Sequence, residues 1–152
     1  MIDDTKAKDK PVYTISVAAR LLDISIQTLR MYEREGLIIP FKTKNNQRLY
    51  SVSDLERIKR IRKDINGNKI GINSLRTVIS LVPCWMIVNC TETDRANCES
   101  FKEHYKPCWT YKHTKNICAE IECRECVVYK FNSDIERIRQ TIIESYNLGD
   151  NK

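Results

Sequence analysis

The first 83 residues of this 152-residue chain contain no cysteine; all seven cysteines lie at positions 84–126. Whatever chemistry sulfur performs is therefore confined to the rear half. No apolar run approaches the roughly 20 residues that a membrane-spanning helix needs, so no membrane partner is expected. The opening MIDDTKAKDK is charged and lacks the hydrophobic segment of a secretory signal, and a cytoplasmic location is expected. The rear half also lacks the close-packed cysteine spacing of ferredoxins and the two CxxC pairs of the common four-cysteine zinc site.

The length suits one ordinary domain or two small ones. With 41% hydrophobic and 30% charged residues, the chain should fold rather than stay disordered. The net charge of +6 is unevenly placed. Residues 1–80 hold 16 Lys and Arg against 9 Asp and Glu, a net +7, and residues 81–152 hold 10 against 11, a net −1. A basic half suits a polyanion such as nucleic acid, and a near-neutral half suggests a second task.

Residues 14–34, TISVAARLLDISIQTLRMYER, predict two short helices. Ser16 is positioned to cap the first, which runs to about Leu22, and Ser25 the second, which runs to about Arg34. Leu29 and Tyr32, three apart, should face inward, and Gly36 should end the second helix in a left-handed conformation. Gln27, Thr28, Arg30 and Arg34 are polar members of that helix. Two helices joined by a short turn make a helix-turn-helix pattern. Next comes GLIIPFKTKNNQRLYS, expected as a two-stranded wing with a turn at Asn45 and Asn46. Lys42, Lys44 and Arg48 bring cations to it, and Arg48 has the fork geometry to grip a phosphate. Tyr50 offers a ring and a hydroxyl contact. A helix is expected from residues 53–55 onward, with Leu55, Ile58 and Ile61 or Ile65 as its apolar stripe, and another from Ser74 to about Leu81.

YTISVAARLLDISIQTLRMYEREGLI, NNQRLYS and SDLERI together resemble the MerR-type winged-helix regulators, nearest the heat-shock-repressor subgroup, over residues 12–80. The resemblance implies that the second helix enters the major groove through Gln27, Thr28 and Arg30. It also implies that Arg48 and Tyr50 approach the DNA backbone. Gln27 and Thr28 are the better candidates for base edges, and Arg30, Arg48, Lys42 and Lys44 for phosphates; Arg34 suits either role. Met31 stands where many members carry a second aromatic.

In the rear half the closest thiols are Cys123 and Cys126 in ECREC, a pair able to clamp a metal ion or cluster or to act as a redox dithiol. Cys84, Cys90, Cys98, Cys108 and Cys118 complete the set of metal or redox candidates. His104 and His113 are expected at the surface. PCW occurs twice, at residues 83–85 and 107–109. The pattern CW-x4-C-x7-C-x9-CW-x8-C-x4-C-x2-C-x2-Y resembles the two-CW cysteine-rich module of bacterial signalling proteins, over residues 84–129. That resemblance implies a sensory or metal-binding role without naming the metal; the thiols themselves suggest an iron-sulfur cluster or a zinc ion held by four of them, Cys123 and Cys126 included. A thiol-redox enzyme is the weaker reading: ECRECVVYK runs into a strand-like VVY, and no His or acid stands at catalytic spacing. No catalytic residue is assigned.

The tail SDIERIRQTIIESYN predicts a helix capped by Ser133 with Glu136, bearing an apolar stripe of Ile135, Ile138 and Ile142. That stripe could pack on its own domain or on a second subunit. The expected fold is mainly α with a small β-wing: a winged helix-turn-helix domain, a small cysteine-rich α+β domain and a C-terminal helix. The expected order is a flexible N-terminus at 1–11, the winged helix at 12–82, the cysteine-rich domain at 83–131 and the helix at 132–148. The function expected is sequence-specific binding of double-stranded DNA, at a palindromic promoter site and as a homodimer. The cysteine-rich part either senses redox state or a metal, or is held by a purely structural zinc.

Overall fold

In the computed structural model, which describes residues 4–149, the chain opens with a helix, α1 (Asp4–Asp9). A flexible segment was expected there, and its first three residues lie outside the described ones. Ser53 Oγ donates to the Asp9 carboxylate at 2.6 Å and fastens α1 to the helix that carries Ser53. The chain divides into two units between Lys63 and Asp64, earlier than the expected boundary after residue 82.

The front unit continues with β1 (Tyr13–Thr14) and α2 (Ile15–Leu22). Thr14, rather than Ser16, caps α2: its hydroxyl accepts the Val17 N–H at 3.4 Å. Ala18, Ala19 and Leu22 bury one face of α2, and Asp23, left-handed at φ 53°, ends it. Ser25 caps α3 (Ile26–Arg34) as expected, accepting the Thr28 N–H at 3.0 Å. Leu29 and Tyr32 are buried beneath α3, and each such side chain removed from water contributes about 1.5–3 kcal/mol. Gly36, at φ 75°, reverses the chain after α3, and the Leu37 N–H returns to the Tyr32 carbonyl at 2.9 Å.

The wing is β2 (Phe41–Lys42) and β3 (Arg48–Tyr50), antiparallel, with Lys42 opposite Arg48. Asn46 alone of the two asparagines takes positive φ, 61°. The sheet has a third strand that the sequence reading did not foresee: β1 pairs with β3, Tyr13 opposite Tyr50, in the order β1-β3-β2. At two residues, β1 is too short to leave an alternating pattern. α4 (Val52–Arg62) starts on a capping box in which Ser51 and Asp54 exchange hydrogen bonds at 2.7 and 3.1 Å, ahead of the expected start. Its stripe of Leu55, Ile58 and Ile61 is buried. Arg57, outside that stripe, is also buried and donates to the Leu37 carbonyl at 3.0 Å.

In the rear unit α5 (Ile72–Ser80) buries Leu75 and Ile79 and packs against the C-terminal helix. Short helices follow: α6 (Cys84–Ile87), α7 (Glu92–Ala96) and α8 (Glu99–Glu103). Three 3-10 turns, Cys108–Thr110, Ile117–Glu120 and Cys123–Glu125, then lead to α9 (Val127–Phe131). Among its described residues this unit has no strand, so the expected α+β character is corrected to α. The strand-like VVY lies in α9, where the Lys130 N–H reaches the Cys126 carbonyl at 2.9 Å. Its β-branched pair buries Val128 against the core, which overrides strand propensity.

α10 (Ile135–Gly149) is capped by two carboxylates rather than by Ser133 and Glu136. Asp134 accepts the Arg137 N–H at 3.1 Å and Asp64 accepts the Ile135 N–H at 2.8 Å. Its buried face runs through Ile138, Thr141 and Ser145, while Ile142 is exposed, so the expected isoleucine stripe is right only at its centre.

Candidate DNA-binding face and thiol centre

On α3 the sequence-predicted residues divide cleanly. Gln27, Arg30 and Arg34 are exposed, held from behind by buried Leu29 and Tyr32. Thr28 is half-buried, and its hydroxyl shares a 2.9 Å hydrogen bond with Ser25. It must give up or share that bond before it can read a base. Burial raises the Tyr32 hydroxyl above its ordinary pKa, against the pull of Arg62.

The wing cations are less free than the sequence implies. Lys42 Nζ lies 3.1 Å from one oxygen of Glu33, and Arg48 Nε donates to the other. Glu33 lies on α3, so one carboxylate ties the wing to the second helix of the helix-turn-helix. Burial pushes the Glu33 carboxyl up, but the bonds from Arg48 and Lys42 outweigh it and leave the group below its ordinary value. Lys42 is still exposed despite that contact, as is Lys44 near the wing tip, and Arg48 is half-buried. Sequence reasoning missed Glu33; the available signal was a lone acid between Arg30 and Arg34 on a face expected to meet phosphate.

Tyr50 is corrected. Its side chain is 1% exposed, and its hydroxyl is buried with no hydrogen-bond partner. Burial, with Glu33 nearby, raises that hydroxyl to about 12. A ring in the core of the sheet supports the wing from beneath and does not present its hydroxyl to a ligand.

In the rear unit the thiols converge. Cys84, Cys108, Cys118, Cys123 and Cys126 line one cavity of about 20 Å³, room for a single water-sized body. Cys90 and Cys98 do not line it, and act on the Cys118 thiol only through their charge. Cys118 rises to about 12, by burial first and then by its sulfur neighbours. Cys84 and Cys108, the cysteines of the two PCW copies, are hydrogen-bonded to each other. The bond from Cys108 holds the Cys84 thiol below its ordinary value despite burial. The same bond, with burial, drives Cys108 well above it. Burial, then the neighbouring Cys126, also raises Cys123.

Trp85 and Trp109 flank this centre, edge-on to Phe101 at 5.3 Å and to Tyr129 at 5.1 Å between ring centroids. His104 is exposed as expected, but His113 is half-buried on the cavity wall. His113 Nε2 donates to the Cys108 carbonyl at 3.0 Å, which leaves Nδ1 as the acceptor, 4.0 Å from Cys98 Sγ. Thiolates are the donors that zinc and iron-sulfur clusters take. Among the described residues, however, no three Cys, His, Asp or Glu side chains are arranged to hold an ion as they stand.

The front unit's fold defines a class, the winged helix-turn-helix, in which a polar second helix and a cationic hairpin share one surface. Residues 13–80 match the family described as MerR HTH family regulatory protein. A protein of Streptomyces coelicolor named as the heat shock protein HspR is 38% identical over 74 residues, 49% of each chain. The transcriptional regulator TnrA of Bacillus subtilis is 36% identical over 56 residues, 37% of this chain and 51% of its own. The regulator GlnR of Bacillus cereus is 28% identical over 72 residues, 47% of this chain and 55% of its own. The chain spans about half the length of these curated relatives. None of the three names is an enzyme's. The matched stretch ends at residue 80, ahead of every cysteine.

Proposed function

We propose that this protein is a transcriptional regulator that binds double-stranded DNA through α3 and the wing and responds to its surroundings through its thiols. The observation that carries the DNA-binding half is the pairing of exposed Gln27, Arg30 and Arg34 with a wing fixed to the same helix by Glu33. Gln27 supplies an adenine-reading amide, and Arg30, Arg34 and Lys44 supply phosphate contacts. Arg48 and Lys42 act first as the clamp and reach phosphate only by leaving Glu33. The protein works as a homodimer on a palindromic promoter site, in the cytoplasm.

Selection of bound duplexes from a random pool tests this reading. It predicts recovery of an inverted repeat whose half-sites are about 10 base pairs apart, or a multiple of that. Recovery of no common sequence would remove the specific-regulator reading.

The thiol half is carried by five of the seven cysteines lining one cavity, in a unit that lies mostly beyond the matched stretch. Two chemistries suit it: reversible thiol oxidation, and a single zinc ion gathered by rearrangement of the thiolates, which would hold the unit without sensing. Metal analysis of anaerobically purified protein separates them: metal-free protein with reactive thiols supports oxidation, and one tightly held zinc supports the structural role.

A further inference from the structure

Beside the thiol centre lies a second, larger cavity of about 340 Å³, walled by Leu81, Val82, Trp85 and Phe101 and touched by two of the seven cysteines, Cys84 and Cys108. Cys123 and Cys126, the pair the sequence singles out, line the small cavity and not this one. The thiols that a molecule entering the large cavity meets are therefore those of the PCW repeats. Both line the large cavity and the small one, and Cys108 acts on Cys84 to hold its thiol below the ordinary value. Pro83 and Pro107 precede the two cysteines and fix the backbone at each.

The cavity volume falls in the range of small-molecule sites, roughly 300–1,000 Å³. By the same measure one water needs only about 10–15 Å³, and hydrogen peroxide is little larger than water. The cavity's aromatic and aliphatic walls suit a molecule with an apolar body. Two adjacent thiols suit a two-electron oxidant, because the second thiol resolves what the first one forms.

We propose that this cavity is the binding and reaction site for a small organic hydroperoxide, which oxidises Cys84 and Cys108 to a disulfide. The proposal rests on the thiol-sensing reading above and names its oxidant. The Cys84 sulfur attacks the outer peroxide oxygen; an S–O bond forms, the O–O bond breaks, and the alkoxide takes a proton and leaves as an alcohol. Cys108, giving up its proton, then attacks the Cys84 sulfenic sulfur. The S–S bond forms, the S–O bond breaks, and hydroxide leaves as water. Two thiols and one hydroperoxide become one disulfide, one alcohol and one water; the sulfurs lose two electrons and the peroxide gains them.

The test uses the full chain, reduced and metal-analysed, with cumene hydroperoxide and hydrogen peroxide as parallel probes. One equivalent of cumene hydroperoxide should consume two thiols, and peptide mapping should place the new disulfide at Cys84–Cys108. Cumene hydroperoxide should react at least about tenfold faster than hydrogen peroxide, the discrimination that even one or two buried methylene groups give. Cys108→Ser should leave Cys84 as a sulfenic acid that dimedone traps; if that variant does not fold, mapping of the unaltered chain decides alone. A first disulfide at Cys123–Cys126, equal rates with the two peroxides, or zinc that shields Cys84 and Cys108 until stripped would each overturn the proposal. DNA binding by the reduced chain is scored separately. Oxidation at this pair in a protein that binds no DNA upholds the chemistry and removes the regulator reading.

Discussion

Arg48 of the wing and Glu33 of α3 form an ion pair, and Lys42 joins the same carboxylate at 3.1 Å. A residue that by type and position reads as a phosphate contact is thus already neutralised from within. The clamp sets the distance between wing and helix before DNA arrives, so less ordering remains to be done on binding.

Removing the carboxyl charge should therefore strengthen the electrostatic part of DNA binding. Glu33→Gln frees two cations of their internal counter-charge, and the slope of log affinity against log salt should steepen by about one. Fluorescence anisotropy on a generic duplex across a salt series measures this. An unchanged slope would mean that Arg48 and Lys42 never meet the backbone.

The same pair carries a pH signature. The folded-state Glu33 carboxyl lies below its ordinary value of 4.5, so its contribution to stability is fully present above that value. It is lost as pH falls from there through the lower folded value. In Glu33→Gln that part of the acid destabilisation should vanish, leaving a flatter stability curve below pH 4.5 in urea titrations.

Tyr50→Phe distinguishes a core tyrosine from a DNA contact. It removes a buried hydroxyl that has no partner, a group that costs about 1–3 kcal/mol when left unsatisfied. The variant should be as stable as the parent or more so in denaturant unfolding, with unaltered DNA affinity. A several-fold loss of affinity with stability intact would return Tyr50 to the interface.

Asp64→Ala should lower the stability of the rear unit by about 0.5–2 kcal/mol, the usual cost of losing a helix cap. Asp64 accepts from the first turn of α10 at 2.8 Å and from Asn68 at 2.9 Å. Chemical unfolding monitored by the intrinsic fluorescence of Trp85 and Trp109, both in that unit, reads it out. A change confined to the front unit would contradict the assignment.

Thiol alkylation should follow the local environment. At pH 8, iodoacetamide should modify Cys84, whose thiol is held low, before Cys118, raised to about 12. Mass mapping at short times gives the order; Cys118 reacting first would mean that the Cys84–Cys108 hydrogen bond does not form in solution.

Much of the front unit could be read from sequence because its signals are local. Ser25, Leu29, Tyr32 and Gly36 each sit where helix periodicity and capping put them. The misplaced cap, Thr14 for Ser16, and the start of α4 at Ser51 rather than at residues 53–55 reflect neighbouring hydroxyls with no local means of choosing. The third strand and the Glu33 clamp depend on contacts between distant segments, which leave no periodic trace. In the rear unit the cysteine spacing announced a shared centre, yet proximity along the chain favoured Cys123 and Cys126. The hydrogen-bonded pair, Cys84 and Cys108, is 24 positions apart, brought together by turns too short to carry a hydrophobic pattern. Val127 and Val128 misled for the converse reason: their strand propensity is real but yields to burial of Val128 in a five-residue helix.

The most direct test of DNA binding through α3 is the affinity of the reduced full chain for duplex DNA across salt, beside Arg30→Ala. Arg30 is exposed on α3, so its loss should leave the fold intact. The account predicts tight binding at low salt that weakens steeply as salt rises, and a weaker variant whose slope is shallower by about one. No binding at low salt, or a variant indistinguishable from the parent, would contradict it.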